Sequence, residues 1–123
     1  MEDTETIENP DPSSMLRDAL RKPLTDETQV QGVLTRIDCD PKEIVFTVKV
    51  DNRQLKVRTE SFKKMVFVSF AEGAGREVTC GLRKPENDVV INYTPAPDAR
   101  AKIDGIVKSV QFVPSDFKLK AGP

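Results

Sequence analysis

Cys39 and Cys80 are the only thiols among 123 residues, and the chain has no histidine. Those two facts remove most side-chain catalysis. A Ser–His–Asp triad and a Cys–His nucleophile both need an imidazole to take a proton. Two thiolates do not complete a tetrahedral zinc site, and no carboxylate stands at chelate spacing to help, so no metal is expected. Gly73-Ala74-Gly75 is not followed by the lysine, hydroxyl residue and helix of a phosphate loop, so it implies no nucleotide or other cofactor. Asp38 and Asp40 form a close carboxylate pair. They straddle Cys39 beside Pro41, where turn acceptors account for them. The expectation is a protein without catalytic residues. The cysteines themselves sit at strand ends beside turns, and two readings stay open: buried free thiols, or a disulfide if their strands are neighbours.

Binding chemistry is better represented. Lys49, Lys56 and Arg58 alternate with apolar residues, which puts the three cations on one side of a hairpin. Phe62, Lys63 and Lys64 follow at a polar corner. Basic strands with stacking rings are the equipment of single-stranded nucleic-acid binders. However, Phe46, Phe67, Phe70, Tyr93 and Phe112 fall in strands on apolar faces, leaving Phe62 and Phe117 as the rings expected in solvent. Lysines on a strand can also serve only to keep edges from pairing.

The elements that must carry these residues are strands. Val30–Cys39 and Ile44–Val50 are separated by the turn Asp40-Pro41-Lys42. Asp51-Asn52 then leads into Gln54–Thr59, whose apolar Leu55 and Val57 alternate with Lys56 and Arg58. Met65–Phe70 has no charge and reads as a central strand covered on both faces. Glu77–Cys80 and Val89–Tyr93 follow, with a loop at 81–88 around Pro85 and a stiff Pro95-Ala96-Pro97. Gly105–Val113 is the last. Two stretches match: Gly32-Val33-Leu34 with Ile37 and Cys39, and Gly105-Ile106-Val107 with Val110 and Phe112. Alternation puts Val33, Ile37 and Cys39 on one face, and Ile106, Val110 and Phe112 on one face. Such first and last strands suit a closing barrel. About seven short strands with no core-length helix give an all-β fold, a small antiparallel barrel of SH3-like or OB-like type. The missing long helix favours a seven-stranded or SH3-like variant, or a small sandwich.

Composition divides the chain. Residues 1–29 carry a net charge of −5 and residues 30–123 a net of +4, giving −1 overall. Residues 1–12 hold acids and prolines with nothing to bury and are expected to be disordered. Ser13 or Ser14 caps a short helix over about 13–22 that Pro23 stops, and 24–29 is a polar linker. Residues 30–118 form the barrel, and 119–123 a disordered C-terminus. No apolar stretch is long enough for a membrane helix. The acidic start has no apolar signal-peptide core, and the compartment stays unassigned.

Gly32-Val33-Leu34 with Ile37-Asp38-Cys39, Thr79-Cys80-Gly81 with Arg83-Lys84-Pro85, Asp98-Ala99-Arg100-Ala101-Lys102 and the Gly105–Phe112 strand together resemble a C-terminal β module. That module is attached to bacterial tetratricopeptide-repeat proteins, notably of acidobacteria. The resemblance covers about residues 30–117 and rests most on Cys39 and Cys80-Gly81 with Lys84-Pro85. It carries over no catalytic residues. It implies an accessory role beside protein-binding helical repeats, and exported parents, which would favour the disulfide. The expected function is a non-catalytic module for protein–protein contact or for capping a repeat array. Single-stranded nucleic-acid binding is the alternative.

Overall fold

The computed structural model describes residues 12–71 and 79–119. One helix, α1 (Pro12–Ala19), precedes six strands: β1 (Thr28–Cys39), β2 (Ile44–Val50), β3 (Arg53–Thr59), β4 (Val66–Ser69), β5 (Gly81–Asp98) and β6 (Ile103–Phe112). The sheet runs β3-β2-β1-β5-β6-β4, and a further pairing of β3 with β6 closes five of the strands into a barrel. All neighbours in the ring are antiparallel except β3 and β6, which run parallel. This winding is OB-like, not SH3-like. A single 3-10 turn at Phe62–Lys64 and the short β4 stand where a long helix would otherwise connect the halves.

The β2–β3 hairpin follows its alternation. Ile44, Phe46, Val48, Leu55 and Val57 are buried, and the two-residue turn is made by Asp51-Asn52, with Asp51 in the left-handed region at φ 55°. The core is completed by Leu34, Ile37, Met65, Val89, Ile91, Tyr93, Val107, Val110 and Phe112.

The two matched stretches do not alternate as expected, and they depart from alternation in the same way. In β1, Leu34 faces Val48 and Arg36 faces Thr47, which leaves Thr35 in a bulge. In β6, Val107 faces Tyr93 and Ser109 faces Asn92, which leaves Lys108 in a bulge. Each bulge lies three residues after a glycine, Gly32 or Gly105. The extra residue shifts the face, so Leu34 with Ile37 and Val107 with Val110 point inward. Val33 is half-buried, and Cys39 and Ile106 are exposed. Nor do these strands close the barrel on each other: β5 lies between them and pairs with both.

β5 replaces the expected loop and shorter strand with one 18-residue strand. Its prolines fall where β5 has no partner in β1, although Pro95 still faces Gly105 of β6. Leu34 faces Asn87 and Arg36 faces Leu82, so Pro85 sits in an unpaired excursion. Pro95 and Pro97 lie beyond Tyr93, where β1 has no residue left to pair, and a missing N–H is tolerated at such an edge. β4 is shorter than expected and lies at the end of the sheet, paired in parallel with β6 alone among the described residues. The expected strand at 77–80 and the Gly73–Gly75 turn lie largely outside the described residues, and Cys80 itself is in a bend.

The helix stops at Ala19, earlier than expected, because its successors are used elsewhere. Leu20 packs against Val90, Val113 and Phe117, joined by Leu16, Phe70 and Leu119, in a second cluster outside the barrel. Phe117 is therefore buried, 3% exposed, rather than in solvent. The backbone N–H of Arg21 donates to Gln111 Oε1 at 2.8 Å. Gln29 Nε2 donates to the Arg21 carbonyl and to Asn92 Oδ1, each at 2.9 Å. Gln31 ties down the C-terminal segment, donating to the Phe117 carbonyl and accepting from the Leu119 N–H, both at 2.7 Å. Leu119 is thus fixed by backbone contact, while 120–123 lie outside the described residues.

Candidate functional site

The disulfide is formed. Cys39 at the end of β1 bonds Cys80, just before β5, with Cα atoms 5.7 Å apart. Gly81 already faces Ile37 in the ladder, which brings the two sulfurs together at the rim. Both cysteines are exposed, so the reading of buried free thiols is overturned. Among the described residues no group of three or more histidine, cysteine or acidic side chains could hold a metal. No helix among the described residues is long and apolar enough to cross a membrane.

The six candidate binding residues separate on the structure. On the outer face of the hairpin the pairs are Lys49 with Gln54, Thr47 with Lys56, and Val45 with Arg58. Lys49 is exposed near the turn, while Lys56 and Arg58 are half-buried. The backbone N–H of Lys56 donates to Asp104 Oδ2 at 2.9 Å, which pins β3 to the start of β6. The Arg58 guanidinium lies 3.5 Å from Glu43 Oε1 and 3.4 Å from Asp98 Oδ2. It ties the β1–β2 turn to the end of β5, so replacing it with an acid would leave three carboxylates together.

Phe62 is a packing residue. Its ring sits 6.3 Å from that of Phe46 and 5.6 Å from that of Phe67, in a cluster that reaches Phe112. Lys63 and Lys64 on the same turn are exposed, and Lys64 pairs with Glu60.

Two of the candidates, Arg58 and Lys64, meet in a groove of about 470 Å³. Its other lining residues are Lys42, Glu43, Thr59, Glu60, Ile106 and Lys108. The groove follows from the ladder. β3 pairs with β6 only at Gly105 and Ile106, and β4 takes up the pairing only at Ser109. Val107 and the bulged Lys108 fall in the interval, so the barrel wall opens there. Arg58 is engaged by Glu43 and Asp98, and Lys64 by Glu60. Among the described residues Lys42 and Lys108 are in no ion pair, and Ile106 is 39% exposed. Lys42, Lys108 and Ile106 were not among the sequence candidates. No sequence signal marked them: Lys108 reads as an ordinary strand lysine and Ile106 as core, and only the ladder register shows the bulge.

All seven aromatic residues are described, and none is exposed. Comparisons with protein families, curated proteins and solved structures find no match.

Proposed function

We propose that this barrel is a non-catalytic interaction module whose ligand is a protein. The observation that carries the reading is the surface chemistry around β3 and β6: cations and an aliphatic side chain, Ile106, with every aromatic ring drawn into packing. Base stacking on rings supplies about 1–3 kcal/mol per base in single-strand binders, and this face has no ring to offer it. Aliphatic contact framed by charges is the pattern of a protein interface with a polar rim. Docking beside helical repeats, the role implied by the resemblance, would use the N-terminal cover, where Met15 and Leu24 are 60% and 61% exposed.

The test is a binary one. The domain is cross-linked in source cells, the captured protein is purified, and binding is remeasured with two pure components at 50 and 300 mM salt. A complex that persists at the higher salt, with no saturable binding of a 20-mer of deoxythymidine, is the expected result. Saturable oligonucleotide binding that falls steeply with salt would replace this reading with the nucleic-acid one.

A further inference from the structure

The groove has a composition that points to the chemistry of its occupant, and the inference rests on the protein-binding reading above. Its floor is Ile106 of β6 with the end of β3. Its walls are the β1–β2 turn carrying Lys42 and the 3-10 turn carrying Lys64, and Lys108 projects from the bulge. The two carboxylates in the lining do not neutralise it, because Glu43 faces Arg58, and Glu60 faces Lys64. Arg58 is further balanced by Asp98. Among the described residues, Lys42 and Lys108 are the lining cations in no ion pair. The Glu27 carboxyl is held below its usual range chiefly by Arg21, with Lys108 the smallest contributor.

We propose that this groove binds an extended acidic segment of a partner protein, with one aliphatic side chain seated on Ile106 and flanking carboxylates reaching Lys42 and Lys108. Charge complementarity selects an acidic segment over a basic one, and the exposed aliphatic floor selects a peptide over a bare anion. The backbone of β6 between Ile106 and Ser109 is paired to neither β3 nor β4, which leaves strand edge beside the groove for an extended segment to lie along.

The probe is an end-blocked decapeptide of glutamate and serine with one central isoleucine, titrated by fluorescence anisotropy against the full chain. Lys42→Ser, Lys108→Ser and Ile106→Ser are measured alongside, with circular dichroism as the check on folding. Saturable binding is expected. It should weaken about tenfold in the double lysine variant, since two screened charge pairs are lost together. It should weaken comparably when either the peptide isoleucine or Ile106 becomes serine.

Equal binding by the folded variants, or no saturation at millimolar peptide, would overturn the proposal. So would a 10-mer oligonucleotide that binds more tightly and loses affinity with the same substitutions. Self-association of the domain that the peptide reverses would assign the groove to a second copy, and also overturn it. If a purified protein partner binds normally to the lysine variants, the groove proposal fails while the interaction module stands.

Discussion

A methyl group has no room at either Gly32 or Gly105. A Cβ at Gly32 would lie 2.5 Å from the Lys49 carbonyl oxygen and 2.7 Å from a Val48 methyl, and one at Gly105 would collide with the Thr94 carbonyl. Neighbouring backbone cannot yield cheaply, so Gly32→Ala and Gly105→Ala should each cost about 1–3 kcal/mol, as overpacking does. Urea unfolding of the two variants checks this, and a wild-type midpoint in either would show that the strands do not cross so closely. Glu27 is a second residue with consequences. Its carboxylate accepts from both guanidinium nitrogens of Arg21 at 2.6 and 3.0 Å and from the Leu24 N–H at 3.2 Å. Those bonds hold it below its ordinary value of 4.5, with Arg21 the largest cause, although burial opposes them. A depressed carboxyl stabilises the fold above its unfolded pKa and loses that contribution as pH falls through the folded one. Asp88 has the opposite sign, because burial raises it and its charged form is the costly one. Glu27→Gln should therefore lower Tm at neutral pH while flattening its fall between about pH 5 and pH 3. An acid limb as steep as that of the wild type would show that Glu27 does not carry it.

At the scale of elements, the β2–β3 hairpin was readable because its local pattern and tertiary role agree: strict alternation and a two-residue turn. The bulges were not readable, since Thr35 and Lys108 are ordinary strand residues and only ladder pairing shows that they are extra. For the same reason Ile106 looked like core and Lys108 like one more strand lysine, and the groove they help to form stayed hidden. Prolines misled in the other direction. Pro85, Pro95 and Pro97 argued for breaks, yet β5 continues through them because they occupy stretches without a β1 partner. The N-terminal helix was legible in place but not in attachment, which depends on Leu20 meeting Val90, Val113 and Phe117 from distant parts of the chain. Leu20→Ala should cost about 2–3 kcal/mol, within the range for buried leucines. It should also release the amide of Leu119, read by hydrogen exchange, because the helix and the C-terminal segment share one cluster. Unchanged protection at Leu119 would separate the two.

For the whole molecule, the Cys39–Cys80 bond encloses β2, β3, the 3-10 turn and β4, with a sequence separation of 41. On the chain-entropy account such a loop stabilises by about 4 kcal/mol. Because both cysteines are exposed, dithiothreitol should reach the bond without prior unfolding. Reduced protein is then expected to unfold at markedly lower urea while keeping its β-sheet circular dichroism in buffer. A midpoint unmoved by reduction would mean that the barrel holds itself and the bond does little.

The segments at the two ends of the described chain also meet. Arg17 Nη1 donates to the Lys118 carbonyl at 2.8 Å, and Gln31 holds the last residues against β1. The sequence of strands around the barrel is therefore almost a ring, interrupted at one surface point. A circular permutant that joins the region of residue 12 to that of residue 119 through a short glycine-serine bridge, and opens at Asp51-Asn52, should preserve every ladder. Its disulfide would form as before, and its near-native Tm would be the measure. In such a molecule the tight hairpin becomes a pair of loose ends, and the point where the helix and the C-terminal segment meet becomes an ordinary loop.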